Sequence, residues 1–86
     1  MYYTIAVFKS RFATINFANL LRENNIPVAI INTPSSIGNA CGISVKFLSD
    51  SHSKVQSIIS MKGGLANFVG FYSYSQNNGR PVLFKL

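Results

Sequence analysis

The sequence predicts an α+β domain built as a two-layer sandwich, with one antiparallel sheet and two helices on one of its faces. Segments rich in β-branched and aromatic residues recur along the chain, and two segments with helical spacing of apolar residues separate them. The chain has 86 residues, of which 48% are hydrophobic and 12% charged. We expect a single domain over residues 1–86, because half of this length would be too short to bury a core.

The first part of the chain reads as strand, helix, strand. Residues 2–8 (YYTIAVF) are β-branched and aromatic, which is typical of a strand. Ser10 is a typical helix N-cap, and residues 11–24 are predicted to form an amphipathic helix. Residues 26–31 (IPVAII) predict a second strand, since a proline is tolerated at the start of a strand. The apolar face of the predicted helix consists of Ala13, Phe17, Leu20 and Leu21.

A loop rich in Pro, Ser, Gly and Asn follows over residues 32–42, and the strand ISVKFL follows it at residues 43–48. A second helix is predicted to begin with Asp50 or Ser51 as its cap. The segment KGG at residues 62–64 ends this helix, because glycine readily adopts the left-handed conformation of a helix C-cap.

The last part of the chain predicts a β-hairpin. Residues 67–75 (NFVGFYSYS) predict a fourth strand, and Asn78-Gly79 favours a type I′ turn that leads into an edge strand at residues 82–86. The element order is therefore βαββαβ with an additional C-terminal strand. This order predicts a ferredoxin-like fold with sheet order 4-1-3-2, antiparallel throughout.

The charge balance favours anionic partners. Eight Lys and Arg against two Asp and Glu give a net charge of +6 and a pI near 9.9. The basic residues are scattered, so a generally basic surface is the better interpretation and nucleic acid is a less favoured partner. High apolar content with few charges predicts a homo-oligomer or a face covered by a partner. No segment approaches the about 18 consecutive apolar residues that span a bilayer, so we expect no membrane association.

The single cysteine, Cys41, is the main candidate for chemistry. In the predicted topology its loop, the turn at residues 8–11 and the turn at residues 62–65 meet at one end of the sheet. Cations and helix-terminal amides near a thiol favour its nucleophilic form, and the alternative is a small apolar residue that only packs. The candidate site consists of Cys41 as the thiol, with a supporting and anion-stabilising set of Gly42, Lys9, Ser10, Arg11, Pro34 and Lys62.

Other kinds of site are excluded by composition. Two acidic residues, one histidine and one cysteine are the four candidate metal ligands, and in the predicted topology His52 lies at the opposite end of the sheet from Cys41, so we expect neither a metal nor another cofactor. Paired carboxylates for acid–base catalysis are excluded in practice, and we expect no enzymatic activity. His52 is expected to be a solvated surface residue. One cysteine and no leader-like N-terminus predict a cytoplasmic protein.

A second interpretation uses the sheet face that the helices leave uncovered. Exposed aromatic residues on such a face can stack on bases or bind a protein partner. In this interpretation the chain is a non-enzymatic binding module and Cys41 is structural. The residues predicted for this alternative binding face are Tyr2, Phe8, Lys46, Tyr72 and Tyr74.

The segments FKS (8–10) and INTPSSIGNACGISVKF (31–47) resemble the motifs of the selenium/sulfur carrier protein-like family of small bacterial domains. The resemblance covers nearly the whole chain, although Ser35 stands where arginine is usual. It implies that Cys41 holds a persulfide or selenosulfide, received from a protein donor of the cysteine desulfurase type and passed to an acceptor protein. The matching positions are Thr33, Pro34, Ile37, Cys41, Gly42, Ile43, Val45 and Phe47.

Overall fold

A computed structural model describes residues 2–86 and contains five strands and two α-helices. A short 3₁₀ turn at Ser49–Ser51 precedes the second helix. In chain order the elements are β1 (Tyr3–Phe8), α1 (Arg11–Glu23), β2 (Ala29–Asn32), β3 (Ile43–Leu48), α2 (His52–Met61), β4 (Phe68–Asn77) and β5 (Arg80–Lys85).

The five strands form one sheet in the order β2-β3-β1-β4-β5, and each neighbouring pair is antiparallel. This order is compatible with a ferredoxin-like fold, in which two strand–helix–strand crossovers interleave. The predicted α+β class and antiparallel sheet are confirmed. Counted from the β4 side, the first four strands follow the order 4-1-3-2, and β5 extends the sheet beyond β4.

The core lies between the sheet and the two helices. Ala6 and Phe8 of β1 share it with Val45 and Phe47 of β3, all at most 1% exposed. The ring of Phe8 packs 5.3 Å from the ring of Phe17 on α1, measured between centroids. The helices contribute their apolar stripes to this core through Phe17, Ala18, Leu21, Val55 and Ile58.

The end of α1 explains why β2 begins later than predicted. Asn25 adopts a left-handed φ of 61°, and its N–H donates to the carbonyl of Arg22 at 3.0 Å. The N–H of Ile26 donates to the carbonyl of Leu21 at 3.0 Å, which completes a Schellman motif. Ile26 is therefore part of the turn that ends the helix, with its side chain in the core, and the strand starts only at Ala29.

Two local predictions, the hairpin turn between β4 and β5 and the N-cap of α2, have different outcomes. Asn78 and Gly79 have φ values of 53° and 79°, so the type I′ hairpin is confirmed. Ser51 occupies the predicted N-cap position of α2, but its side chain makes no capping hydrogen bond, because the chain enters this helix through the 3₁₀ turn. Within residues 2–86 no helix combines the length and the apolar character needed to cross a membrane.

His52 is not the solvated surface residue that its position predicts. Its half-buried ring stacks on Phe47 at 6.3 Å and meets the edge of Phe71 at 4.9 Å, both between centroids. The Nε2 atom lies 3.1 Å from the side-chain amide of Gln56. His52 follows the 3₁₀ turn directly and is the first residue of α2.

Candidate functional site

The backbone of Cys41 is held against the end of β1. Its N–H donates to the carbonyl of Phe8 at 2.9 Å, just beyond the pairing of Val7 with Ser44. The loop that carries it is closed at its base by a hydrogen bond from the N–H of Thr33 to the carbonyl of Gly42, also at 2.9 Å. The thiol is therefore attached to the sheet and not to a free loop tip.

Pro34 begins a turn within this loop, since its carbonyl accepts a hydrogen bond from the N–H of Ile37 at 3.1 Å. Asn39 adopts a left-handed φ of 57°, which asparagine tolerates better than most residues. The loop thus folds back on itself within ten residues and returns the chain to β3. Ser35, which follows the proline, is exposed.

The sulfur of Cys41 is half-buried and has two polar neighbours. A proton on Sγ points to the carbonyl of Ile43, 3.1 Å away. The hydroxyl of Thr14 lies 3.3 Å from Sγ, and Thr14 itself is 0% exposed. Among residues 2–86, Thr14 is the residue whose side-chain donor lies within hydrogen-bonding distance of this sulfur.

The first turn of α1 positions Thr14. Ser10 is the predicted N-cap, and its Oγ accepts a hydrogen bond from the N–H of Ala13 at 3.2 Å. The carbonyl of Ser10 accepts from both the N–H and the hydroxyl of Thr14, at 3.1 and 3.0 Å. A hydroxyl carries one proton, so Thr14 can donate to the carbonyl of Ser10, to the sulfur, or to the carbonyl of Ile43, which lies 3.5 Å from its Oγ1. The geometry supports an exchange among these three acceptors.

The predicted cations lie at the same end of the sheet without contacting the thiol. Lys9, Arg11 and Lys62 are exposed, and in the described part of the chain their side chains form no hydrogen bond or ion pair. The backbone N–H of Lys9 donates to the carbonyl of Asn67 at 2.8 Å, which ties the turn after α2 to the turn after β1. The convergence of the three segments is confirmed.

Gly42 has no steric role inside the chain. A Cβ at this position would meet no atom within 4 Å, and its φ is outside the left-handed region. No backbone N–H, including that of Gly42, donates a hydrogen bond to the Cys41 sulfur within residues 2–86. The glycine instead leaves open space beside Cys41 on the exposed side of the loop.

The alternative binding face differs from its prediction in two residues. Phe8 is 1% exposed and belongs to the core beneath the helices, and Tyr2 precedes β1 with 78% exposure. Strand register places Tyr3 opposite Tyr74, and Ile5 opposite both Lys46 and Tyr72. The sheet face away from the helices, here called the open face, therefore carries Tyr3, Ile5, Val7, Ala29, Ile31, Ser44, Lys46, Leu48, Gly70, Tyr72, Tyr74, Gln76, Pro81, Leu83 and Lys85.

Sequence reasoning missed Thr14 and Tyr3, although each had a signal. Thr14 precedes Phe17, Ala18 and Leu21 by three, four and seven residues, so helical periodicity places its hydroxyl on the buried side. Side chains alternate between the two faces of a strand, so Tyr3 lies on the same face of β1 as Ile5 and Val7, whereas Phe8 lies on the same face as Ala6. The sequence of β1 alone does not show which of its two faces the helices cover; this depends on how β1 pairs with β3 and β4.

Comparison with known families agrees with the resemblance seen in the loop motif. The family model described as "Putative Se/S carrier protein-like" matches residues 2–68, a range that includes β1, α1, the loop of Cys41 and α2. No curated protein and no solved structure matches the chain.

Proposed function

The chain belongs to the Se/S carrier protein-like family, and from this premise we propose that it carries sulfur or selenium on Cys41 between two partner proteins. The observation that carries the proposal is the placement of the chain's single thiol inside the matched range, half-buried and fixed by its backbone at the end of the sheet. A carrier needs one accessible thiol and no resolving cysteine, since a second thiol would release the cargo by forming a disulfide.

The loading step is a sulfur transfer without net oxidation. The thiolate of Cys41 attacks the outer sulfur of a persulfide on the donor protein, a new S–S bond forms, and the S–S bond of the donor breaks. The donor cysteine leaves as a thiolate, and Cys41 holds the persulfide. In the unloading step a nucleophile of the acceptor attacks the outer sulfur, and Cys41 leaves as a thiolate. Selenium follows the same path as a selenosulfide.

The surroundings of Cys41 support these steps. When the sulfur carries a negative charge it has no proton for the carbonyl of Ile43, and the Thr14 hydroxyl is available as its donor. Hydrogen bonds to a charged acceptor contribute more than those between neutral groups. The open space beside Gly42 gives the outer sulfur room, and the exposed Lys9 and Arg11 offer positive charge to an approaching donor.

The donor in this proposal is a protein of the cysteine desulfurase type, because such a protein presents a persulfide to a partner thiol. The chain acts as a cytoplasmic, non-enzymatic accessory protein that holds the cargo and recognises both partners. Its excess of positive charge, +6, suits partners with acidic surfaces around their reactive cysteines.

Intact-protein mass spectrometry tests the proposal. The protein is incubated anaerobically with a cysteine desulfurase and cysteine, without reductant, and the mass of the intact chain is measured. We expect the gain of one sulfur atom, its removal by reductant, and no gain in Cys41→Ser. No adduct in the wild-type protein, together with a thiol that resists alkylation until the chain unfolds, would show that Cys41 is a packing residue.

A further inference from the structure

The open face presents basic and aromatic side chains together. Ile5 and Val7 lie beneath them in the middle of the sheet and are 0% exposed, so the longer side chains form an outer layer over the strands. Tyr3, Tyr72 and Tyr74 are half-buried in this layer.

Lys46 and Lys85 lie in one row across the sheet. Lys46 on β3 pairs with Ile5, Ile5 pairs with Tyr72, and Tyr72 pairs with Lys85 on β5. The two lysines are thus three strand spacings apart, about 14 Å. A single phosphate is too small to bind both ammonium groups across this distance, whereas a chain of phosphates is long enough.

The two lysines also lean in opposite directions along the strands. The ammonium of Lys46 lies 4.5 Å from the ring centroid of Tyr3 and 5.9 Å from that of Tyr74. The stem of Lys85 crosses Gly70 so closely that a Cβ there would be 3.1 Å from its Cε. The cations therefore mark a diagonal path over the face, with Tyr72 between them.

No acidic side chain balances the charge of this face. The acidic residues of the chain are Glu23 and Asp50, located at the end of α1 and in the 3₁₀ turn. Neither residue is on a strand of the sheet, and no ion pair to Lys46 or Lys85 forms within the described residues. An anionic ligand would supply the missing negative charge.

Neither the C-terminal segment nor a second copy of the chain fits the open face well. The C-terminal segment does not fold over it, because β5 pairs at the edge of β4 and the N–H of Leu86 continues that pairing to the carbonyl of Phe71 at 2.9 Å. A second copy placed face to face would bury Lys46 and Lys85 of both copies without a carboxylate. Burying unpaired like charges is strongly unfavourable.

We propose that the open face binds single-stranded RNA, with Lys46 and Lys85 contacting phosphates and Tyr72 and Tyr74 stacking on bases. Antiparallel sheets with exposed aromatic residues bind unpaired bases in this way, and a row of cations follows the backbone. An acidic peptide would satisfy the lysines but would leave the tyrosine rings without planar partners. The proposal does not depend on the carrier function, since Cys41 lies on the end of the sheet and not on this face.

Fluorescence anisotropy with a labelled oligouridine over a series of salt concentrations tests the proposal. We expect Lys46→Gln and Lys85→Gln each to weaken binding at low salt and to reduce the slope of log affinity against log salt by about 0.7. The matched control is Lys54→Gln, which removes the same charge from the exposed side of α2 and should leave affinity and slope unchanged. Tyr72→Leu should weaken binding about tenfold, whereas Tyr72→Phe keeps the ring and the affinity.

Three results would overturn the proposal. One is the absence of salt-dependent binding to oligouridine by the folded wild-type protein. Another is an equal loss in Lys54→Gln and Lys46→Gln, which would assign the binding to general basicity. The third is competition by a polyglutamate peptide as effective as that by unlabelled oligouridine, which would identify the face as a docking site for an acidic protein. Thermal unfolding of each variant verifies that it is folded.

Discussion

At the scale of single residues, the chemistry of this chain depends on which acceptor receives the hydrogen bond of the Thr14 hydroxyl. In the neutral state the thiol proton of Cys41 points to Ile43 and the Thr14 proton can remain with Ser10. When the sulfur acts as a nucleophile or a leaving group, the hydroxyl can turn toward it over 3.3 Å. The carbonyl of Ser10 keeps its bond to the backbone N–H of Thr14. The exchange therefore leaves the Ser10 carbonyl paired.

Replacing Thr14 with valine should slow the reaction of Cys41 with an alkylating reagent about tenfold, because the sulfur anion loses its hydrogen-bond donor. Valine has nearly the same shape and leaves no carbonyl unpaired, so we expect stability to fall by no more than about 1 kcal/mol. The rate of alkylation under native conditions and urea unfolding together measure the two effects.

The matched control is Thr14→Ser, which keeps the hydroxyl and removes a methyl group. We expect it to restore the alkylation rate even if it lowers stability as much as valine does. Equal rates in the valine variant, the serine variant and the wild-type protein would show that the hydroxyl only fills space beside the sulfur.

At the scale of elements, the start of α1 connects the helix to the site. The Ser10 cap fixes the first turn, and this turn presents Thr14 to Cys41, just before the start of β3. Replacing Ser10 with alanine removes the acceptor for the N–H of Ala13 and should lower the free energy of unfolding by about 1 kcal/mol. Urea denaturation followed by circular dichroism measures this change.

Ser57→Ala on α2 provides the comparison for the Ser10 variant. Its hydroxyl donates to the carbonyl of Ser53 at 3.1 Å on an exposed part of the helix, where substitutions usually change stability by less than about 0.5 kcal/mol. If both serine variants lost the same free energy of unfolding, the hydrogen bond at the start of α1 would contribute no more to stability than the exposed one on α2.

At the scale of the whole molecule, sequence patterns predicted the fold because most elements agree with their local signals. Apolar spacing, the Ser10 cap and the Asn78-Gly79 turn each depend on neighbouring residues alone. The wrong predictions concern features that are determined by contacts between residues far apart in the sequence. Which face of β1 the helices cover depends on its register with β3 and β4, and the half-buried ring of His52 packs against Phe47 and Phe71. The contact of Thr14 with Cys41 joins residues 27 positions apart, and spacing along the chain does not reveal it.

The stability of the whole molecule can be used to test whether Cys41 reacts in the folded state or only after unfolding. Leu21 is 0% exposed and lies near the end of α1, whereas Cys41 contacts Thr14 near its beginning. Leu21→Ala should lower the free energy of unfolding by about 2–5 kcal/mol, and Ile26→Val by about 0.5–1.5 kcal/mol. The second variant remains informative if the first fails to fold.

If alkylation required global unfolding, its rate would rise with the unfolded population, about tenfold for each 1.4 kcal/mol of lost stability. The carrier proposal requires a thiol that a partner reaches without unfolding the chain. We therefore expect the native alkylation rate of Cys41 to be the same in Leu21→Ala, Ile26→Val and the wild-type protein, while urea unfolding records the lost stability. A rate that instead increased in proportion to the loss would mean that the fold conceals the thiol, and sulfur transfer on Cys41 would have to be abandoned.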